Sequence, residues 1–338
     1  MKKIFIAAFA LAAVAACNKA EVIDMAPQKA ISFADPFVDA STKVIDNAYT
    51  AANTPASFKV YGTLSNGTST VNIFDAVDVY KTQQATTDIA GTNTWYYAAD
   101  KVQYWMNGNT YNFAAVVGGT VTPDGVGMPA SIAYTTSTQQ DLLYARPAAI
   151  VCDGTQTNVA FTLNHLLTKV VFNFTNAYAA AADMVVKIDD VKILNAAGSG
   201  SYAVADGWAT NDDAEMSFGP VVASDATAEA TAGAYIESNQ TFSSNYAKLL
   251  IPESQVWNIA FTANVYYKSG SEEDPVYTLV NTYEYTTEKP LTTGTEALAL
   301  EAGKSYNFNI TIGGELTPIT FSATSTDWTS ADQSITLQ

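Results

Sequence analysis

Lys304-Ser305-Tyr306-Asn307-Phe308-Asn309-Ile310-Thr311-Ile312 is the stretch whose reading decides the fold. Tyr306, Phe308, Ile310 and Ile312 alternate with Asn307, Asn309 and Thr311. Side chains of a strand point to opposite faces in turn, so one face here is apolar and the other polar. Antiparallel sheets packed on one side need that pattern. The reading extends outward along the chain. Ile259, Phe261, Ala263, Val265 and Tyr267 form a long alternating row, and Val170, Phe172 and Phe174 share a face. Val159-Ala160-Phe161-Thr162-Leu163 and Phe58-Lys59-Val60-Tyr61 are shorter runs of the same kind. Gly, Asn, Asp and Pro punctuate the runs. Many short strands with turn signals between them predict antiparallel β-sandwiches and an all-β fold. Helical periodicity is scarce; an Ala run within 176–184 is expected to give a turn or two of helix. No repeat of solenoid period is visible.

The chain has 338 residues, room for two domains at ~100–200 residues each. The boundary is expected near His165-Leu166-Leu167-Thr168, giving an N-terminal sandwich over 30–166 and a C-terminal sandwich over 167–338. Apolar residues make up 48 % and charged residues 14 %, which excludes a disordered chain. Aromatics reach 12 %, with 19 Tyr, in keeping with pleated sheet surfaces. The formal charge of −17 argues against nucleic acid as a partner, since phosphates call for Lys and Arg.

The first residues read as an address and an anchor. Met1-Lys2-Lys3 is a positive n-region, and residues 4–16 form an apolar h-region too short for a bilayer span. It ends in Ala13-Val14-Ala15-Ala16-Cys17, the pattern of a bacterial lipobox. Residues 1–16 are therefore expected to be a lipoprotein signal peptide, Cys17 the lipidated residue and 17–29 a polar tether. Two or three acyl chains anchor stably where one does not. Cys152 is then the remaining thiol, so no internal disulfide forms. Its apolar neighbours predict a small packed residue at a strand end.

Candidate chemistry is sparse. His165 is the single His and Arg146 the single Arg, so a catalytic triad has one possible base and multi-His metal sites have no material. Flanked by Leu163, Leu166 and Leu167, His165 is expected to be packed or hydrogen-bonded at the domain junction. Gly303-Lys304-Ser305 lacks the glycine at Leu298 and the following helix of a phosphate loop, so it reads as a turn. The acidic groups Asp206, Asp212, Asp213, Glu215 and Glu272, Glu273, Asp274 match no calcium-loop spacing and read as solvated loops. The ring-rich stretch from Trp95 to Trp105 is expected to form cross-strand aromatic pairs rather than a lectin-like platform. No catalytic residue, metal or cofactor is assigned, and the chain is not expected to be an enzyme.

Several segments, in order and spacing, resemble the fimbrillin family, the pilins of fimbriae of anaerobic oral and gut bacteria. They are Ile31-Ser32-Phe33, Phe58-Lys59-Val60-Tyr61-Gly62, the stretch from Trp95 to Trp105 and Tyr111-Asn112-Phe113-Ala114-Ala115. Next come Gln139-Gln140-Asp141-Leu142-Leu143-Tyr144-Ala145 and the junction Phe161-Thr162-Leu163-Asn164-His165-Leu166-Leu167-Thr168-Lys169-Val170. Leu249-Leu250-Ile251-Pro252 and Ala302-Gly303-Lys304-Ser305-Tyr306 follow. Met106 stands where the family usually has Pro.

The resemblance implies two tandem transthyretin-like β-sandwich domains and an outer-membrane lipoprotein precursor. It implies a proteolytic cut in the loop after the first strand, where Lys43 stands in place of the usual Arg. It also implies assembly by donor-strand exchange, with Ile335 and Leu337 of the tail as candidate donor residues. The expected partners are other pilin subunits in a head-to-tail polymer, the outer membrane through the lipid, and a host glycan or protein receptor. The function so implied is a structural pilin of a cell-surface fimbria contributing to adhesion. The alternatives are an uncleaved anchor or adhesive tip subunit, and a surface glycan-binding lipoprotein.

Overall fold

The computed structural model describes residues 29–34, 36–38, 55–90, 95–223, 233–244, 247–253, 257–287, 292–293, 296–297, 300–313, 319–327 and 332–337. Their regular secondary structure is almost entirely strand, as the alternation predicts. The helical elements among them are three-residue 3-10 turns, Ala99–Lys101, Thr136–Thr138 and Ala180–Ala182. The Ala run thus forms one short turn, because the chain enters the long strand Met184–Ala203 directly after it.

The first sheet is built around Thr110–Val117, paired antiparallel with Ser57–Ser65 on one side and Leu143–Ala145 on the other. Ser57–Ser65 pairs in turn with Thr70–Tyr80, and Leu143–Ala145 with Thr162–His165. The second sheet centres on Thr168–Asn176, which lies parallel to Lys304–Ile312 and antiparallel to Thr241–Ser244. Lys304–Ile312 continues antiparallel to Thr320–Asp327 and then Asp332–Leu337. The third sheet has Met184–Ala203 in its middle, with Ile259–Gly270 beside it and Pro275–Thr287 beyond.

Burial follows the alternation except at Tyr267, expected on the apolar face with Ile259 to Val265 but 43 % exposed, because the register shifts between Val265 and Tyr266. In Lys304–Ile312, Tyr306, Phe308, Ile310 and Ile312 are buried and the residues between them are half-buried. They meet Val170, Phe172 and Phe174 of the neighbouring strand, and Phe172 stacks on Phe308 with ring centroids 5.3 Å apart. Facing them from the third sheet are Val186, Ile188, Ile259, Phe261, Ala263 and Val265. Phe174 meets Phe261 edge-on at 5.1 Å. These two inner faces form one sandwich core.

A second core lies in the first sheet, with Phe33, Phe58, Phe74, Trp95, Tyr97, Phe113 and Phe161 at its centre. A third apolar cluster joins the two: Tyr61, Ala114, Val116, Met128, Ile132, Tyr134, Leu142, Leu166, Leu167, Leu249 and Ile251. It explains why Phe113-Ala114-Ala115-Val116 reads as a continuous apolar run. That strand is buried on both faces, one by its own sandwich and one by the neighbour. Residues 166 and 167, where the domain boundary is expected from the sequence, fall between strands Thr162–His165 and Thr168–Asn176. One hairpin crosses it: Thr120–Pro123 pairs with Pro129–Thr135, which pairs with Met184–Ala203 of the third sheet.

Candidate functional site

The segment that begins the described chain lies in a slot of the first sandwich. Ile31 and Phe33 alternate inward and are 0 % and 1 % exposed. The Ile31 amide donates to the Gln103 carbonyl at 2.8 Å, and the Trp105 amide donates to the Lys29 carbonyl at 3.0 Å. On the other side the Val159 amide donates to the Ser32 carbonyl and the Ala34 amide to the Val159 carbonyl, both at 2.8 Å. Phe37–Val38 then runs parallel to Thr162 and Leu163. The segment is therefore held between two other stretches of backbone, hydrogen-bonded to both.

Its side chains are equally enclosed. The Phe33 ring lies 5.5 Å from Phe74, 5.5 Å from Tyr97, 6.0 Å from Phe161 and 6.5 Å from Phe113, centroid to centroid. Tyr97 Oη donates to the Ile31 carbonyl at 2.6 Å. Burial holds the Tyr97 hydroxyl far above its ordinary pKa, so it stays a neutral donor. Ser32, on the other parity, donates to Asn158 Oδ1 at 2.5 Å, which satisfies a hydroxyl that is 8 % exposed. Removing this one segment would strip partners from both flanking backbones and open an apolar slot lined by rings.

The tail forms the outer strand of the second sheet. Asp332–Leu337 pairs antiparallel with Thr320–Asp327, with Ile335 opposite Ala323 and Leu337 opposite Phe321. Ala323 and Phe321 in turn pair with Phe308 and Ile310. The candidate donor residues thus sit in a strand with one described neighbour, whereas the first segment has two. Cys17 and Lys43 lie outside the described residues.

The other sequence candidates fall into structural roles. His165 is 7 % exposed at the junction, and its Nδ1 lies 3.0 Å from Oδ1 and 2.8 Å from Oδ2 of Asp141. Asp141 is not legible in the sequence as that partner, because it stands 24 residues away with no marked spacing to the His. Cys152 is buried, with its thiol 3.1 Å from Gln156 Oε1 and 3.4 Å from Asn107 Oδ1. Gly303 adopts φ +72 and the strand starts at Lys304, so Gly303-Lys304-Ser305 is a turn leading into a strand. Of the ring-rich stretch, Trp95, Tyr97 and Trp105 are buried; Trp105 packs on Tyr111 at 4.7 Å, and Tyr104 is exposed. Asp212, Asp213 and Glu215, expected in a loop, lie in the strand Gly207–Ser217 paired with Met184–Ala203, and Glu215 pairs with Lys192 at 3.1 Å. Among the described residues no group of three or more His, Cys, Asp or Glu is placed to hold a metal ion.

Two sandwich cores, a first segment held in a slot and a C-terminal edge strand define the chain as an all-β protein of tandem sandwiches. A family model described as fimbrillin-like matches residues 42–328, and the chain belongs to that family. A second model, for the prokaryotic membrane lipoprotein lipid attachment site, matches residues 1–18. The protein is accordingly a membrane-anchored, cell-surface fimbrial protein. Among solved structures it is similar to a fimbrial protein from Bacteroides vulgatus, at 14 % identity and a TM-score of 0.61, covering 89 % of this chain and 99 % of that one. At that identity the likeness speaks for the fold. Candidate cell adhesion proteins from Parabacteroides distasonis (12 % identity, TM-score 0.48, covering 90 % of this chain and 97 % of that one) and Bacteroides ovatus (16 %, 0.47, 91 % and 100 %) are also similar. No curated protein matches the chain.

Proposed function

We propose that this chain is a structural subunit of a fimbria, exported as a lipoprotein through Cys17, cut at Lys43 and joined to its neighbours by strand exchange. The observation that supports this reading is the slot holding residues 29–34. It is bounded by backbone on both sides and lined with buried rings, so loss of its occupant leaves a template for an incoming strand. The tail of a neighbour, with Ile335 and Leu337, is the donor. One donor and one acceptor per subunit give a head-to-tail contact that does not close on itself, and a filament grows. Two buried aliphatic side chains contribute only ~3–6 kcal/mol gross; the backbone ladder and contacts between subunits supply the rest. We take 30–166 and 167–338 as the domain limits, and we read the chain as non-enzymatic.

A second reading, an uncleaved anchor or adhesive tip subunit, draws support from the tail. In its own sheet Asp332–Leu337 already forms a continuous six-residue ladder, which must break before it can be donated.

The deciding experiment treats the purified precursor with a Lys-specific protease and follows polymer growth by electron microscopy. Lys43→Ala and a truncation after Asp332 should both remain folded monomers while the parent chain polymerises. A parent chain that is cut at Lys43 and still stays monomeric ends the shaft reading.

A further inference from the structure

The end of the first sandwich remote from the interdomain cluster carries an exposed apolar patch. Strand register fixes its place. Thr110 pairs with both Ser65 and Val151, whereas Val117, at the other end of the same strand, pairs with Leu143, the partner of junction residue His165. At the remote end Tyr104, Met106 and Val151 are 44, 41 and 64 % exposed. One bonded loop holds them together: the Met106 amide donates to Tyr111 Oη at 2.7 Å, and Tyr111 Oη donates to the Tyr104 carbonyl at 3.1 Å. The Gly108 amide donates to the Cys152 carbonyl at 2.8 Å, tying this loop to the strand of Val151.

The amino-terminal segment enters the fold at the same place. Lys29 accepts from the Trp105 amide, and its Nζ donates to the Gln156 carbonyl at 2.9 Å. Gln156 Nε2 donates to the Val151 carbonyl at 3.1 Å. Between Lys29 and Cys17 stand the eleven residues 18–28. Fully extended at ~3.3–3.6 Å each, they reach about 36–40 Å at most. This end of the molecule is therefore the one the anchor keeps near the bilayer.

We propose that, while Cys17 carries lipid, this end docks on the membrane surface, with Tyr104, Met106 and Val151 at headgroup level. The proposal rests on the lipid-attachment reading above. Charge supports the choice of occupant. The full sequence carries −17, and loss of Lys2 and Lys3 with residues 1–16 makes the lipidated chain more negative still, which repels an anionic leaflet. At the patch the Lys29 ammonium and the Asp153 carboxylate meet at Gln156 and offset one another, so this end adds no local negative charge toward the leaflet. Hydrogen bonds from Thr155 and Gln156 hold the Asp153 carboxyl down at about 2, so it stays charged and marks the rim that remains in water. A Tyr ring with its polar tip suits the interfacial depth, and Met and Val beside it add apolar contact.

The test uses the full lipidated chain in vesicles of phosphatidylethanolamine and phosphatidylglycerol. In a Cys152→Ser background, which keeps a donor toward Gln156, a polarity-sensitive dye is placed at Met106→Cys, at Val151→Cys, or at Val280→Cys as a remote control. Val280 is 54 % exposed. Lipid spin-labelled near its ester carbonyl should quench the dyes at 106 and 151 several-fold more than the dye at 280, with a blue shift at the first two alone. Vesicle flotation with equal quenching at the three positions overturns the docking and leaves the anchor standing. Failure of the chain to float with vesicles overturns both. Protection of position 106 by cross-linking to a second copy, without lipid quenching, overturns the membrane as occupant.

Discussion

Phe33→Ala tests whether the first segment is a separable, exchangeable strand. The side chain is 1 % exposed and four aromatic rings surround it within 6.5 Å, centroid to centroid. Truncating a buried Phe costs about 3–5 kcal/mol through lost transfer energy and the cavity left behind. If the segment opens on its own, that cost falls on the local opening equilibrium. At ~1.4 kcal/mol per factor of ten, opening rises by about two to three and a half orders of magnitude. Four amides report it: Ile31, Ala34, Val159 and Trp105 each bond across the segment's two edges. Native-state hydrogen exchange should show these amides accelerating by that factor. Amides of the second sandwich, such as Lys169 to Asn176 of its central strand, should keep their rates. The reasoning is refuted if the four amides accelerate less than about tenfold while global stability falls by the full 3–5 kcal/mol. The segment would then be inseparable from its domain, and strand exchange would have no local route.

Three further outcomes follow from the packing. Phe308→Ala should cost ~3–5 kcal/mol in urea denaturation, because Phe308 is fully buried against Phe172. Asn309→Ala removes the acceptor of one half-buried bond from Asn173 Nδ2 at 2.9 Å and should cost only ~0.5–1.5 kcal/mol; equal losses would overturn the assigned faces. Burial raises the Glu253 carboxyl above its ordinary 4.5, against the bonds it accepts from Trp257 Nε1 and the Ala197 amide. A folded pKa above the unfolded one means the native state holds the extra proton, so this contribution is full below pH 4.5 and lost as pH rises through the folded value. Stability curves of the parent chain should show that loss, and Glu253→Gln should flatten it; identical pH dependence in both would remove the assignment. Cys152, 2 % exposed, should react with a thiol reagent only at the rate of unfolding; rapid labelling of the folded chain would count against its packed role.

The sequence by itself determined the strands and their buried faces. Tyr306 to Ile312, Ile259 to Val265 and Val170 to Phe174 show the burial their alternation predicts, because which side of a pleat a residue takes is settled by its position along the strand. The turn at Gly303 and the burial of His165 and Cys152 are legible in the glycine and the apolar residues beside them in the sequence, although the partners Asp141 and Asn107 are not. What only the tertiary structure decided is who pairs with whom. Ser32 bonds to Val159 and Asn158 across more than a hundred residues, and Thr168–Asn176 lies parallel to Lys304–Ile312 with most of the second half of the chain between them. Alternation marks a strand's faces but is silent about its edges, since every residue except Pro offers the same backbone N–H and C=O. The slot around Ile31 and Phe33, the bond between His165 and Asp141 and the hairpin that crosses the junction are all edge or end contacts. They exist only once the sheets have closed and brought distant backbones within hydrogen-bonding distance.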